Sequence, residues 1–264
     1  MPNLTSGFLT MNIRLLLSLF LAPLILAACG PAPDESATKQ PATPAQQASR
    51  LDRLKLDFSA PVFIDSTDYV MYPLVLDAAE EGSSLSSDSY SGRGRTYWNV
   101  AFYNTRTGAH HLLNDQQKMV IQAYHQQEAD NTSSGTGAAS GPGRRSPANG
   151  FLYYDVTTLD FNRDGKLDGN DPTYLFVSDK TGRRFHQISP PNAHVENWSV
   201  DGATGRVLLL VRTDTNQDRA ITNEDETTPL VYDLRAGREA TAVFGKEFTT
   251  RAKQQLDAQW PRKP

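Results

Sequence analysis

Twelve residues in the middle of the chain carry oxygen where a hard cation needs it. In Asp160-Phe161-Asn162-Arg163-Asp164-Gly165-Lys166-Leu167-Asp168-Gly169-Asn170-Asp171, side-chain oxygens fall at loop positions one, three, five, nine and twelve, with glycine at six. Calcium takes about six to eight oxygen ligands, and alternate residues of a tight loop can turn inward around one ion. The glycine permits the sharp turn. After it the carbonyl of Lys166 is expected to face the metal, with Leu167 as an apolar peg behind it. The plain alternative is a solvated polar turn with no ion.

A second stretch has the same spacing. Asp214, Asn216, Asp218 and Asp225 occupy positions one, three, five and twelve, and Ala220 would supply the carbonyl that Lys166 supplies in the first. Arg219 stands where glycine is expected and Thr222 where an acid is expected, which puts the turn geometry in doubt and predicts weaker binding. The cofactor expected from both loops is Ca2+, held more tightly by the first. The corresponding place upstream, Asp77-Ala78-Ala79, lacks the pattern and is expected to hold no ion.

The elements that position these loops repeat. Tyr103-Asn104-Thr105-Arg106-Thr107-Gly108, Val177-Ser178-Asp179-Lys180-Thr181-Gly182 and Tyr232-Asp233-Leu234-Arg235-Ala236-Gly237 each end in a basic residue, a small residue and a glycine. A glycine between two β-rich runs reads as a hairpin turn, because it accepts positive φ at no steric cost. The runs before the turns are Tyr97 to Tyr103, Tyr174 to Val177, and Leu230 to Tyr232 just after Pro229. Those after them lie around His110 to Leu113, Phe185 to Ile188 and Ala240 to Phe244. Upstream, a longer apolar strand ends on an acid in each unit: Tyr69 to Leu76, Phe151 to Leu159 and Val207 to Val211. A fourth strand per unit is expected at Val62 to Ile64, Met119 to Tyr124 and Val195 to Val200. From acid to turn glycine the distance is 22 and 23 residues in the second and third units and 31 in the first, whose extra length is the Ser/Gly-rich stretch Gly82 to Gly94.

Four short strands per repeat, with an outer hairpin, is how a β-propeller blade is built. Trp198-Ser199-Val200-Asp201-Gly202 resembles the turn of TolB-like propeller repeats, and Asp160 to Asp168 resembles the calcium hairpin of integrin-type FG-GAP propeller repeats. The resemblance covers two loops and the repeat pattern. It implies an all-β fold of three propeller-blade-like antiparallel β repeats over residues 51–246, with a β-sandwich of meanders as the alternative. Helix-flanked EF-hands and a dockerin are disfavoured, because Pro172 to Val177 reads as strand. Closed propellers use about 4–8 blades. A fourth sheet from residues 51–60 and the C-terminus, an open stack, or closure by self-association would each resolve a count of three. Segments 82–95 and 128–150 read as mobile surface loops.

Residues 247–264 form the last part. Phe248, Ala252, Leu256 and Trp260 recur every four residues, which predicts a short helix packed on the β domain through that face. A partner-binding helix is the alternative.

Catalytic patterns are weak. His110, His111, His125, His186 and His194 show no paired helical spacing, there is no Gly-x-Ser-x-Gly elbow, and Gly135-x-Gly137 lies in a low-complexity stretch. His110 and His111 share a strand, so their rings are expected on opposite faces. Trp98, Trp198 and Trp260 are read as core or interface, and no catalytic residue is assigned.

The N-terminus bears on location. Arg14 is the only charge before Cys29 and precedes an apolar run from Leu15 to Leu26 broken by Ser18 and Pro23, the pattern of a secretory signal. Leu26-Ala27-Ala28-Cys29-Gly30 resembles the bacterial lipobox. That resemblance implies cleavage after residue 28, lipid on Cys29, and membrane anchoring through it; Gly30 rather than Asp favours the outer membrane. Cys29 is the only cysteine, so no intramolecular disulfide forms. Residues 29–50, rich in Pro, Ala, Gln, Ser and Thr, read as a disordered tether. Losing residues 1–28 makes the chain one charge more negative than the −4 of the full sequence, which gives no support to nucleic-acid binding.

The function expected from these features is a calcium-binding, membrane-anchored envelope lipoprotein that acts as a non-catalytic binding or scaffold module for an envelope protein or glycan. The alternatives are a calcium-dependent enzyme acting on envelope polysaccharide, or a subunit of an envelope assembly machine.

Overall fold

A computed structural model describes residues 51–76, 95–126 and 147–260. The expected signal peptide, Cys29, the tether, Asp77 to Ala79 and most of both low-complexity segments lie outside the described residues.

The described chain is all-β with one helix. The first meander holds β1 (Val62–Phe63), β2 (Tyr69–Val75), β3 (Tyr97–Asn104) and β4 (His110–Leu112). The second holds β5 (Val120–Gln126), β6 (Phe151–Thr157), β7 (Tyr174–Asp179) and β8 (His186–Gln187). The third holds β9 (His194–Asp201), β10 (Arg206–Arg212), β11 (Thr227–Asp233) and β12 (Thr241–Ala242). Within each meander every strand pairs antiparallel with the next. The first two are also joined by the pairing of Tyr97 with Ile121. All twelve expected strands are present, three blade-like units of four.

The meanders stack in chain order, and alternation along β6 shows how. Leu152, Tyr154 and Val156 pack with Met71, Val100 and Phe102 of the first meander. Tyr153, with Leu175 and Val177 of β7, packs with Val207, Leu209 and Val211 of the third. A strand sends successive side chains to opposite faces, so a sheet buried on both must be apolar at consecutive positions, as β6 and β7 are. Tyrosine fits such a place only if its hydroxyl is met. Tyr154 Oη lies 2.9 Å from Ser178 Oγ, and Tyr153 Oη donates to the Ala148 carbonyl at 3.2 Å. Burial pushes both phenols well above their ordinary range.

The three hairpin glycines adopt positive φ, at +75° for Gly108, +76° for Gly182 and +60° for Gly237. Gly182 is constrained twice: a Cβ there would come within 2.4 Å of the Phe102 ring across the sheet junction.

Four expectations need correction. The last inner strand does not begin after Pro229; β11 starts at Thr227 and runs through it. The Pro229 carbonyl accepts the Val243 N–H beside the short edge strand, so its missing N–H faces that edge and interrupts no bond to β10. Pro73 sits in β2 in the same way, its carbonyl taking the Ser59 N–H. Residues 57–59 therefore extend the edge of the first meander, and no fourth sheet forms among the described residues. The end of the second low-complexity segment is not a mobile loop: Pro147–Gly150 is a 3-10 turn, with Ala148 buried. Finally, the helix α1 (Lys246–Gln259) does not pack on the β domain through its apolar face. It has no buried residue, and Phe248, Leu256 and Trp260 are exposed. Helical spacing gathers apolar side chains on one face but does not supply a surface to cover them.

Candidate metal centre

The two calcium-type loops connect equivalent strands, β6 to β7 and β10 to β11. Such long connections must meet their own backbone polar groups, and the loop acids do this. In the first loop Asp160 accepts the N–H groups of Asp164 and Gly165 at 3.0 and 2.9 Å. Asn162 Oδ1 accepts Asp164 N–H, Asp164 accepts Lys166 N–H, and Asp168 accepts Asn170 N–H. Asp171 is 3% exposed and accepts from Phe161 at 2.8 Å and from Asp168 at 3.1 Å.

The second loop reproduces this network. Asp214 accepts from Gln217 and Arg219, Asn216 from Asp218, and Asp218 from Ala220. The Thr222 hydroxyl accepts Glu224 N–H, where Asp168 accepts Asn170 N–H in the first loop. Asp225 closes the loop as Asp171 does, accepting from Thr215 N–H and hydroxyl and from Thr222 N–H. The N–H groups of Thr222 and Thr215 hold the Asp225 carboxyl below the usual carboxylate range.

The doubt about the second turn is thereby resolved. Arg219 takes φ +66°, the left-handed conformation that Gly165 takes at +88°. Arg163 and Gln217, at position four of each loop, match as well, at +63° and +64°. The hydrogen bonds that Asp214 and Asp218 accept from the Arg219 and Ala220 N–H groups hold Arg219 there against a cost of about 1–2 kcal/mol for an L-residue.

These residues fit a hard cation in donor chemistry. Asp160, Asn162, Asp164 and Asp168, with the Lys166 carbonyl, form an oxygen-only set of the kind calcium takes. Each carboxylate has about four lone-pair sites, so those spent on N–H groups leave acceptor capacity. Among the described residues no three Asp, Glu, His or Cys side chains converge as metal ligands do. The carboxylates are turned onto the backbone instead.

Between the loops lies a cleft of about 320 Å³, lined by Asp171, Pro172, His194, Glu196, Arg212 and Thr222 among others. His194 Nδ1 accepts the Thr173 N–H at 3.0 Å, tying β9 to the end of the first loop. Burial pushes its pKa down, and Arg212 adds to this against the opposing pull of Glu196. Arg212 pairs with Glu196 and donates to the carbonyls of Thr222 and Asp225 at 3.0 and 2.7 Å. Both loops are thus fastened to the walls of one cleft. The sequence reading missed His194, Glu196 and Arg212; polar residues at strand ends beside the loops were the available signal.

A second polar group lies at the junction of the last two meanders. Asp155, the only charge in β6, accepts Trp198 Nε1–H at 2.9 Å, and its other oxygen lies 3.0 Å from His125 Nε2. Trp198 stacks on Tyr153 with ring centroids 5.2 Å apart. Its place is the interface, as expected, whereas Trp260 is exposed. His111 stacks on Phe102, and burial lowers its pKa, while His110 on the same strand is exposed.

No protein-family model matches the chain, and no curated protein matches it either.

Proposed function

We propose that this chain is a calcium-binding lipoprotein of the cell envelope, anchored through lipid on Cys29 and acting as a non-catalytic binding or scaffold module. The observation that carries the calcium part is the repetition of one carboxylate–backbone network in two loops at the same place in consecutive meanders. Two polar turns formed independently would not be expected to share five acceptor positions and two left-handed residues. Asp160, Asn162, Asp164, the Lys166 carbonyl and Asp168 would hold the first ion; Asp214, Asn216, Asp218 and the Ala220 carbonyl the second. Asp171 and Asp225, the expected ligands at position twelve, would complete the two sets and also close the loops. The bound ion would neutralise the gathered carboxylates and stiffen the walls of the cleft, which offers a Glu–Arg pair and a neutral imidazole to a polar ligand such as an envelope protein or glycan. The anchor rests on the Leu26-Ala27-Ala28-Cys29 pattern.

Calcium titration calorimetry on the whole chain tests the metal. The expected result is a tighter event removed by Asp164→Ala and a weaker one removed by Asp218→Ala, with Kd on the order of 10⁻⁴ to 10⁻³ M as in extracellular modules. No heat from either loop would refute the calcium reading. For the anchor, Cys29→Ala is expected to leave an uncleaved precursor with no lipid mass; normal processing of that variant would refute it.

A further inference from the structure

The repeat supplies an internal standard for what each sheet face packs against. Two residues before each hairpin acid or amide, a residue of the inner hairpin strand pairs with one of the long strand and points toward the next meander. In the first meander this pair is Met71 and Phe102, in the second Tyr153 and Val177, in the third Leu208 and Val231. Met71, Phe102, Tyr153 and Val177 are each 1% exposed or less against the meander that follows. Leu208 is 45% exposed and Leu210, two positions along on the same face, 39%.

The opposite face tells the same story at the other end. The pairs pointing backward are Val207 with Tyr232 and Leu152 with Ser178, all within 5% exposure. Their counterpart in the first meander is Val70 with Tyr103: Val70 is 4% exposed and Leu74, on the same face, 1%, whereas at the hairpin end Tyr103 is 39% exposed and Leu112, opposite Ala101 on that face, 41%. Among the described residues, then, no meander follows the forward face of the third and none precedes the backward face of the first, which is open at its Tyr103–Leu112 end. Both keep the apolar residues that make the two internal junctions.

We infer that two copies of this chain pack head to tail, the Leu208–Val231 face of each against the Tyr103–Leu112 face of the other, closing one ring of six meanders. The surface that fits a forward face is a backward face, as both internal junctions demonstrate, and the free backward face belongs to this same chain. Two copies bring together six of the described meanders, a number within the roughly 4–8 blades of closed propellers. Such head-to-tail contacts form a finite assembly only when the rotation closes. With strands about 4.8 Å apart and about 3.3 Å per residue, the strand residues of the third and first meanders give footprints of roughly 380 and 320 Å². Each copy uses both faces, roughly 700 Å² per partner, within the range of standard stable interfaces. This inference is independent of calcium.

The test is native mass spectrometry of the full chain released from membranes in mild detergent, beside disulfide trapping in cells. Two-chain mass is expected. Co-expressing Leu208→Cys and Tyr103→Cys copies with different tags should give a mixed-tag disulfide that neither copy gives alone. Leu208→Arg with Leu210→Arg, both exposed in the single chain, should reduce the mass to one chain while the far-ultraviolet spectrum stays that of a β protein. A one-chain mass for the unaltered protein, a mass of three or more chains, or a two-chain species that survives the arginine pair would overturn the inference. So would a dimer abolished only by Phe248→Asp and Leu256→Asp, since contact would then run through α1.

Discussion

Asp171 is expected to be the residue on which the first loop's fold depends most, and its replacement can be costed from the structure. Its carboxylate is buried at 3% exposure, with one oxygen accepting Phe161 N–H at 2.8 Å and the other accepting Asp168 N–H at 3.1 Å. These bonds span the loop, fastening its first turn to its last. Hydrogen bonds to a charged acceptor contribute about 1.5–3 kcal/mol each, and an orphaned buried donor costs a similar amount. Asp171→Asn keeps one acceptor oxygen and turns an NH2 group toward the other N–H, for a loss of about 2 kcal/mol. Asp171→Ala removes both acceptors, for a loss of about 4 kcal/mol on the same basis. At roughly 2–4 °C per kcal/mol for a domain of this length, the Asn variant should melt about 4–8 °C lower and the Ala variant about twice as far. Thermal melts of the whole chain in chelator measure this without any contribution from bound calcium. An Asn variant melting within a degree of the parent would refute the brace.

Other outcomes follow from particular contacts. Gly182→Ala combines positive φ with a 2.4 Å approach to Phe102, whereas Gly237→Ala meets nothing within 4 Å. Denaturant unfolding should show a loss of about 3 kcal/mol for the first and about 1 for the second; equal losses would mean the ring contact is unimportant. Arg219→Gly should relieve the left-handed backbone at φ +66°. The gain is up to about 1 kcal/mol after glycine's extra unfolded-state entropy, and a less stable variant would contradict it. His194 has its folded pKa lowered by burial, so the unfolded chain takes up its proton first as pH falls. Its contribution to stability is complete above about pH 6.5 and is lost as pH drops through the folded pKa. A stability–pH profile should show that slope, and His194→Gln should flatten it; identical profiles would count against the argument. Asp179 has its folded pKa lowered too, its bonds from Thr181, Arg183 and Arg184 outweighing a burial that acts to raise it, so that further stability should go below about pH 3.9.

Much of the architecture was legible because a few residue types act locally. Gly108, Gly182 and Gly237 mark hairpins through a backbone conformation that other residues rarely take, and the loop acids mark turns through bonds to their own backbone. Both signals survive without knowledge of the rest of the fold. Arg219 misled because the same conformation can be imposed by neighbours: Asp214 and Asp218 accept the N–H groups on either side and hold it in place. Pro229 misled for a related reason, since a proline breaks a strand only where its missing N–H would have been used. The His125–Asp155–Trp198 group and the cleft at Arg212 draw on different meanders, and no spacing along the chain encodes them. The expected packing of α1 does not occur because an apolar stripe says what must be covered and nothing about where the cover is.

The organisation of the two loops bears on the size of the calcium response. A loop whose carboxylates faced one another without partners would repel itself apart, and an ion would then decide between folded and unfolded. Here Asp160, Asp164, Asp168 and Asp171 each accept at least one backbone N–H, as do Asp214, Asp218 and Asp225. Those partial positive charges offset the carboxylates, and the Asp225 pKa shows the anionic form already favoured. On the proposed reading, calcium would add to a formed turn instead of creating one. An ion bound only by the native state contributes RT ln(1 + [Ca2+]/Kd), about 1 kcal/mol per site when the ion is a few times above Kd. Melting curves should therefore rise by about 2–4 °C per occupied loop in millimolar calcium, with magnesium much less effective because its octahedral shell suits the loop poorly. The chain should stay folded in chelator. A cooperative loss of the β signal on chelation would show that the backbone bonds do not suffice, and that the metal carries the fold.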